Sequence, residues 1–295
     1  MKKKLLFVFI TGVMLGFSAV LVNYFVFTPA INSSQQVIQV LEEMSTEEWN
    51  ELLAEGKQEY YRGNLDSAIN IYERLLNTTY DKKEPLKNLY YINKEMGDYG
   101  KSNYYLKYLI KEEKDNYEWK YKYGVNLYLM GQWKESREML EKVYLYYTEN
   151  DMTELDAKEQ SILAYYLGQV YFASGELEKA ETFFNHGIEI MPAQVLNYIG
   201  LAELYRHKEE YEKAIDCYLS AIKRDSSLAN YYPEIARLYD KIGNEREALN
   251  YWNRSISTGH SSALARKRVE EITRKYPEFV KEEKELKDLA REKIK

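Results

Sequence analysis

The stretch GELEKAETFF, Gly175–Phe184, decides the fold. It opens on a glycine, reaches a small residue at Ala180 and a large one at Phe184. Glycine enters left-handed backbone conformations at little cost and so ends one helix and turns the chain. The i, i+4 spacing of Ala180 and Phe184 then puts both on one face of the helix that follows. The small residue lets a neighbouring helix come close, and the large one fills the space beside it.

The same pattern lies 34 residues to either side. A 34-position frame starts units at Trp49, Lys83, Tyr117, Ser161, Val195 and Ala229, with a ten-residue insertion, Asp151–Gln160, between the third and fourth. Position 20 reads Ala68, Ser102, Ser136, Ala180, Ala214 and Ala248, all small. Position 24 reads Tyr72, Leu106, Leu140, Phe184, Tyr218 and Trp252, all large. Position 8 is Gly56, Tyr90, Gly124, Gly168, Ala202 and Ala236; position 15 is Gly63, Gly97, Gly131, Gly175, Glu209 and Gly243. Apolar residues at positions 4, 7 and 11, such as Ala164, Leu167 and Tyr171, add a stripe at helical spacing. Each unit therefore reads as a helix–turn–helix that buries its open face on the next. Gly 14 and Pro 5 in 295 residues are too few for a β-sandwich or barrel, so the chain is all-α.

These columns resemble the tetratricopeptide repeat family over residues 49–262, with departures at Tyr90, Glu55 and Glu209 and with the family's late proline present only as Pro192. The resemblance implies a right-handed α-solenoid of six units, units 1–3 in 46–150, the insertion at 151–160 and units 4–6 in 161–262. Ser45-Thr46-Glu47-Glu48 reads as a capping box that starts the first helix near Thr46, with Met44 and Trp49 placed as a hydrophobic staple. After unit 6, residues 263–295 read as a solvating cap helix, Ala263–Lys275, and a charged helical tail.

Before the repeats, Lys2, Lys3 and Lys4 precede Leu5–Phe27, an uncharged apolar run of 23 residues. At about 1.5 Å per residue that run reaches roughly 34 Å, enough to cross a hydrocarbon core. Residues 5–27 are therefore expected to form a transmembrane helix, with 1–4 in the cytoplasm and 28–45 a tether outside it. Cleavage between Ala30 and Ile31, giving a secreted or periplasmic adaptor, is the competing reading, and a cytoplasm-facing tethered regulator is a third. Removing Lys2–Lys4 takes the formal charge from −6 to −9, a surface that disfavours nucleic acid.

Searching for chemistry returns no catalytic site and no cofactor. Gly97–Ser102 ends like a phosphate loop, but Glu95 stands where its first glycine belongs. The lone Cys217 and the histidines His186, His207 and His260 do not make a metal centre. What remains is a surface. The resemblance implies that the first helix of each unit lines a concave face through positions 2, 5, 9, 12 and 13. In unit 3 these include Tyr121, Val125, Tyr128 and Leu129, and in unit 4 Tyr165, Gln169 and Phe172. An aromatic strip with polar rims suits a groove for a protein or peptide partner, with self-association as an alternative. The carboxylate-clamping pattern known in the family is missing, since Leu53, Lys57, Glu118 and Lys122 depart from it and only Asn88 matches. The expectation is a non-enzymatic docking scaffold at a membrane.

Overall fold

A computed structural model describes residues 43–149, 156–260, 262–279 and 281. The described chain is a stack of antiparallel helical hairpins. First helices are α1 (Thr46–Tyr61), α3 (Lys83–Glu95), α5 (Tyr117–Leu129), α7 (Ala157–Ala173), α9 (Val195–His207) and α11 (Tyr232–Lys241). Second helices are α2 (Leu65–Leu76), α4 (Tyr99–Glu112), α6 (Trp133–Glu149), α8 (Leu177–Ile190), α10 (Tyr211–Arg224) and α12 (Glu245–Ser257), and α13 (Ala263–Lys275) closes the stack. Each hairpin packs on the next, and α7 and α9 also lie directly against each other.

The turn inside each hairpin repeats in every unit. Position 15 is left-handed throughout: Gly63, Gly97, Gly131, Gly175 and Gly243 have φ between +73 and +81, and Glu209 has φ +60. One residue on, an N–H reaches back to the carbonyl at position 11, as in Glu176 to Tyr171 at 2.9 Å and Glu210 to Tyr205 at 2.8 Å. That is the six-to-one bond of a Schellman ending, which satisfies a carbonyl the helix leaves over.

The interior follows the columns. All six residues at position 20 are 0% exposed, and so are five of the six at position 24, with Tyr218 at 2%. Burying each such large side chain stabilises by about 1.5–3 kcal/mol. Position 8 is small because position 24 of the same unit occupies the room: a Cβ on Gly168 would lie 2.5 Å from the Phe184 ring. The serines at position 20 add a polar tie. Ser136 Oγ donates to the Gly124 carbonyl at 2.7 Å and Ser102 Oγ to that of Tyr90 at 3.3 Å, joining the two helices of one hairpin. Tyr90 enters the small column as a fully buried ring, edge-on to Trp119 of the next unit at 6.1 Å.

Ser45 caps α1 as expected, accepting from the Glu48 N–H at 3.2 Å while Glu48 accepts from the Ser45 N–H at 2.7 Å. Tyr80 holds this end, donating to the Met44 carbonyl at 3.0 Å with its ring 5.7 Å from that of Trp49. Two departures from a uniform period appear. Helices α6 and α7 each run 17 residues, so that Ala157–Gln160 form the opening turn of α7 beneath the Asp156 cap. In unit 6 a 3-10 turn, Ser226–Tyr231, delays the first helix to Tyr232, with Pro233 in its first turn where the missing N–H costs nothing.

Among the described residues no helix is long and apolar enough to cross a membrane. The expected span at 5–27 and most of the tether at 28–45 lie outside them, as do the first half of the insertion, 151–155, and most of the charged tail.

Candidate protein-docking face on the first helices

Helices α5, α7 and α9 set their outward-facing side chains along one continuous strip. Tyr121 and Tyr128 of α5 bracket Tyr166 of α7, with ring centroids at 6.4 and 5.8 Å and interplanar angles of 66° in both pairs. Tyr165 lies 5.2 Å from Tyr166 and 6.1 Å from the buried Phe184. Phe172 meets His207 of α9 edge-on at 5.4 Å. Edge-to-face pairs of this kind add stability beyond burial and hold ring orientations fixed.

A single amide organises the strip. Gln169, only 6% exposed, accepts from the Tyr128 hydroxyl at 3.3 Å and makes polar contacts with the Tyr165 hydroxyl and the Glu203 carboxylate of α9. Residues of three consecutive first helices therefore meet at one side chain. Burial pushes the phenols of Tyr121, Tyr128, Tyr165 and Tyr166 upward, so all four remain neutral hydrogen-bonding groups at ordinary pH. Burial also raises the Glu203 carboxyl from its usual 4.5, outweighing the opposing pull of Arg206 and of Gln169.

The expected site residues distribute unevenly. Tyr121, Tyr128, Tyr165 and Phe172 are half-buried, whereas Val125 is buried at 7%. Leu129 stands at the rim, 43% exposed. Three participants were not among those expected: Tyr166 at position 6, and Glu203 and His207 at positions 9 and 13 of unit 5. Extending the same positions from units 3 and 4 into unit 5 finds the last two.

Elsewhere, burial raises the Cys217 thiol to about 11, which leaves it protonated and a poor nucleophile. Among the described residues no group of three or more His, Cys, Asp or Glu side chains is placed to hold a metal ion.

Known proteins resemble this chain chiefly through its repeats. Family models described as tetratricopeptide repeat match residues 163–194 and 198–229. Human general transcription factor 3C polypeptide 3 is 26% identical over 91 residues, which are 31% of this chain and 10% of that protein. The matched region thus spans only a tenth of that relative's length. A tetratricopeptide repeat protein from Parabacteroides merdae superposes with a TM-score of 0.59 at 17% identity, over 76% of this chain and 85% of its own. The pilF protein of Pseudomonas aeruginosa superposes with a TM-score of 0.54 at 15% identity, over 77% of this chain and 97% of its own. At such identities the likeness concerns the fold alone. Residues 163–194 and 198–229 match the tetratricopeptide repeat, a unit that generally serves to hold other proteins, and they lie within an all-α stack of hairpins.

Proposed function

We infer that this protein is a non-enzymatic docking scaffold held at a membrane by residues 5–27, with its repeats on the far side from the cytoplasm. The tyrosine strip of α5 and α7, tied by Gln169, carries the docking half of this reading. Half-buried rings with fixed orientations offer contact area at small entropic cost, which is what an extended segment or helix from a partner requires. The uncharged run Leu5–Phe27 behind three lysines supports the anchor.

Photocrosslinking in intact cells tests the docking face. A photoreactive residue replacing Tyr128 or Tyr165 is expected to capture one discrete protein, while the same residue at Lys142, exposed on α6, captures none. Capture only from Lys142 overturns the choice of face. Protease added outside intact cells should remove the repeats from a chain that stays membrane-bound. A mature N-terminus at Ile31 would instead defeat the anchor, and full protection of the repeats would defeat the orientation.

A further inference from the structure

Among the described residues eight large apolar side chains stand exposed, and five of them share one place in the fold. Tyr61, Met96, Leu129, Met130 and Trp133 sit at the turns inside hairpins 1–3, between 40% and 83% exposed. These turns are neighbours in space. The Tyr60 hydroxyl donates to Glu95 Oε2 at 2.9 Å, joining the first turn to the second. Asn103 Nδ2 donates to the Met130 sulfur at 3.7 Å, joining the third turn to the second hairpin. One edge of the stack is therefore apolar over three units. At the same turns units 4–6 expose Ser174, His207 and Lys241 instead. The opposite edge of units 1–3, where the chain passes between hairpins, exposes Asp81, Lys83, Lys114 and Asp115.

Contiguous exposed apolar surface marks contact with another molecule or with a membrane. Trp and Tyr suit the boundary between acyl chains and headgroups, because an apolar ring ends in a polar group. Charges beside the row are balanced, Arg62 pairing with Glu59 at 2.7 Å and Lys101 with Asp98 at 3.7 Å, so apolar contact rather than net charge selects the occupant. The length of chain before the stack selects it further. Residues 28–45 reach about 60 Å when extended, and α1 is only about 24 Å long. An anchor at 5–27 thus leaves this edge free to come down on the bilayer, and the apolar row is confined to the three units that follow it.

We propose that the turn edge of units 1–3 rests in the interfacial layer of the bilayer, with Tyr61, Met96, Leu129, Met130 and Trp133 among the upper acyl chains. This deepens the membrane half of the reading above and rests on it. The contact lays the first half of the stack on the membrane and holds the tyrosine strip at a fixed height from it.

The test uses the full chain in phosphatidylcholine vesicles whose acyl chains carry bromine near the headgroup or none, and reads tryptophan emission. Trp119 and Trp252 are buried in the stack, whereas Trp133 is 46% exposed. Bromine should quench Trp133 about twofold, the depth at which interfacial side chains insert. Trp133→Phe should abolish that quenching. On this background Met96→Trp should restore it, and Lys142→Trp, at an exposed site on α6, should not. Equal quenching from Met96→Trp and Lys142→Trp overturns the proposal, as does emission that bromine leaves unchanged while the chain floats with the vesicles through alkaline carbonate; in that last case the anchor survives. Quenching that Trp133→Phe removes, in a chain that carbonate strips from the vesicles, supports the edge and defeats the anchor.

Discussion

At the scale of single residues, Glu209 and Glu203 show opposite ways in which a side chain can sit against its surroundings. Glu209 occupies the left-handed turn position that glycine fills in the other five units, and its side chain is exposed. A Cβ in that region costs roughly 1–2 kcal/mol, partly offset because glycine loses more freedom on folding. Glu209→Gly should therefore stabilise by about 1 kcal/mol, read as a higher denaturation midpoint. A lower midpoint would mean that the glutamate makes contacts worth more than the strain. Glu203 has a pH signature. Its folded pKa is raised above 4.5, so the native state holds the proton longer than the unfolded chain does. Stability must then fall as pH rises from the unfolded value through the folded one, and stay flat on either side. The groups around it are Gln169, Arg206 and Glu234, together with the neutral phenols of Tyr128, Tyr165, Tyr218 and Tyr231. Denaturant midpoints of Glu203→Gln between about pH 4 and 8 should lose that downward step and exceed the parent's at neutral pH. Legibility at this scale tracks backbone demand. Positions 8, 15, 20 and 24 could be read because close approach and left-handed turns admit few residue types. Glu203 could not, because an acid at a groove position looks like any other among the 47 acidic residues.

At the scale of elements, the middle of the stack is tied by a polar bridge that the frame did not disclose. Asn197 of α9 is fully buried and donates to both the Ser161 carbonyl, at 3.1 Å, and the Ser161 Oγ, at 2.9 Å. Ser161 Oγ donates in turn to the Gly187 carbonyl at 2.7 Å, so α7, α8 and α9 meet at one hydroxyl. Gly187 has no alternative, since a Cβ there would lie 2.4 Å from the Asn197 amide. Asn197→Ala should cost about 1–3 kcal/mol and Ser161→Ala somewhat less. The double variant should fall short of the sum by more than about 0.5 kcal/mol, because each single change already breaks the shared bond. Strict additivity in a thermal or denaturant cycle would refute the coupling. The sequence exposed the break between units 3 and 4 as extra residues but not their use. Four of them lengthen α7 because Asp156 caps it, accepting from the Glu159 N–H at 2.7 Å. The late start of α11 was hidden too: Ala229 falls on the frame, while Pro233 favours a helix beginning just before it.

For the molecule as a whole, a stack in which each unit touches mainly its neighbours loses structure from its ends. Hydrogen exchange should be slowest in α7–α10 and fastest in α1 and α13, and uniform protection would show instead that the stack opens as one body. Helix α13 is the terminal cover. Its Ala265 and Ile272 are buried on unit 6, and Arg268 pairs with Asp240 at 2.7 Å and Glu245 at 3.4 Å. Deleting residues 263–295 should lower the melting temperature and promote association, since it bares the apolar face of α12. Hairpin order and stacking were legible along the chain because one period repeats six times. The tyrosine strip was legible only in outline, since its assembly depends on how three first helices meet. The tyrosines carry one last consequence. Burial lifts Tyr72 to about 12 and drives the phenols of Tyr90, Tyr121 and Tyr218 upward as well. In alkali these rings stay colourless until the stack comes apart, and the sudden phenolate absorbance then makes the chain its own optical gauge of intactness.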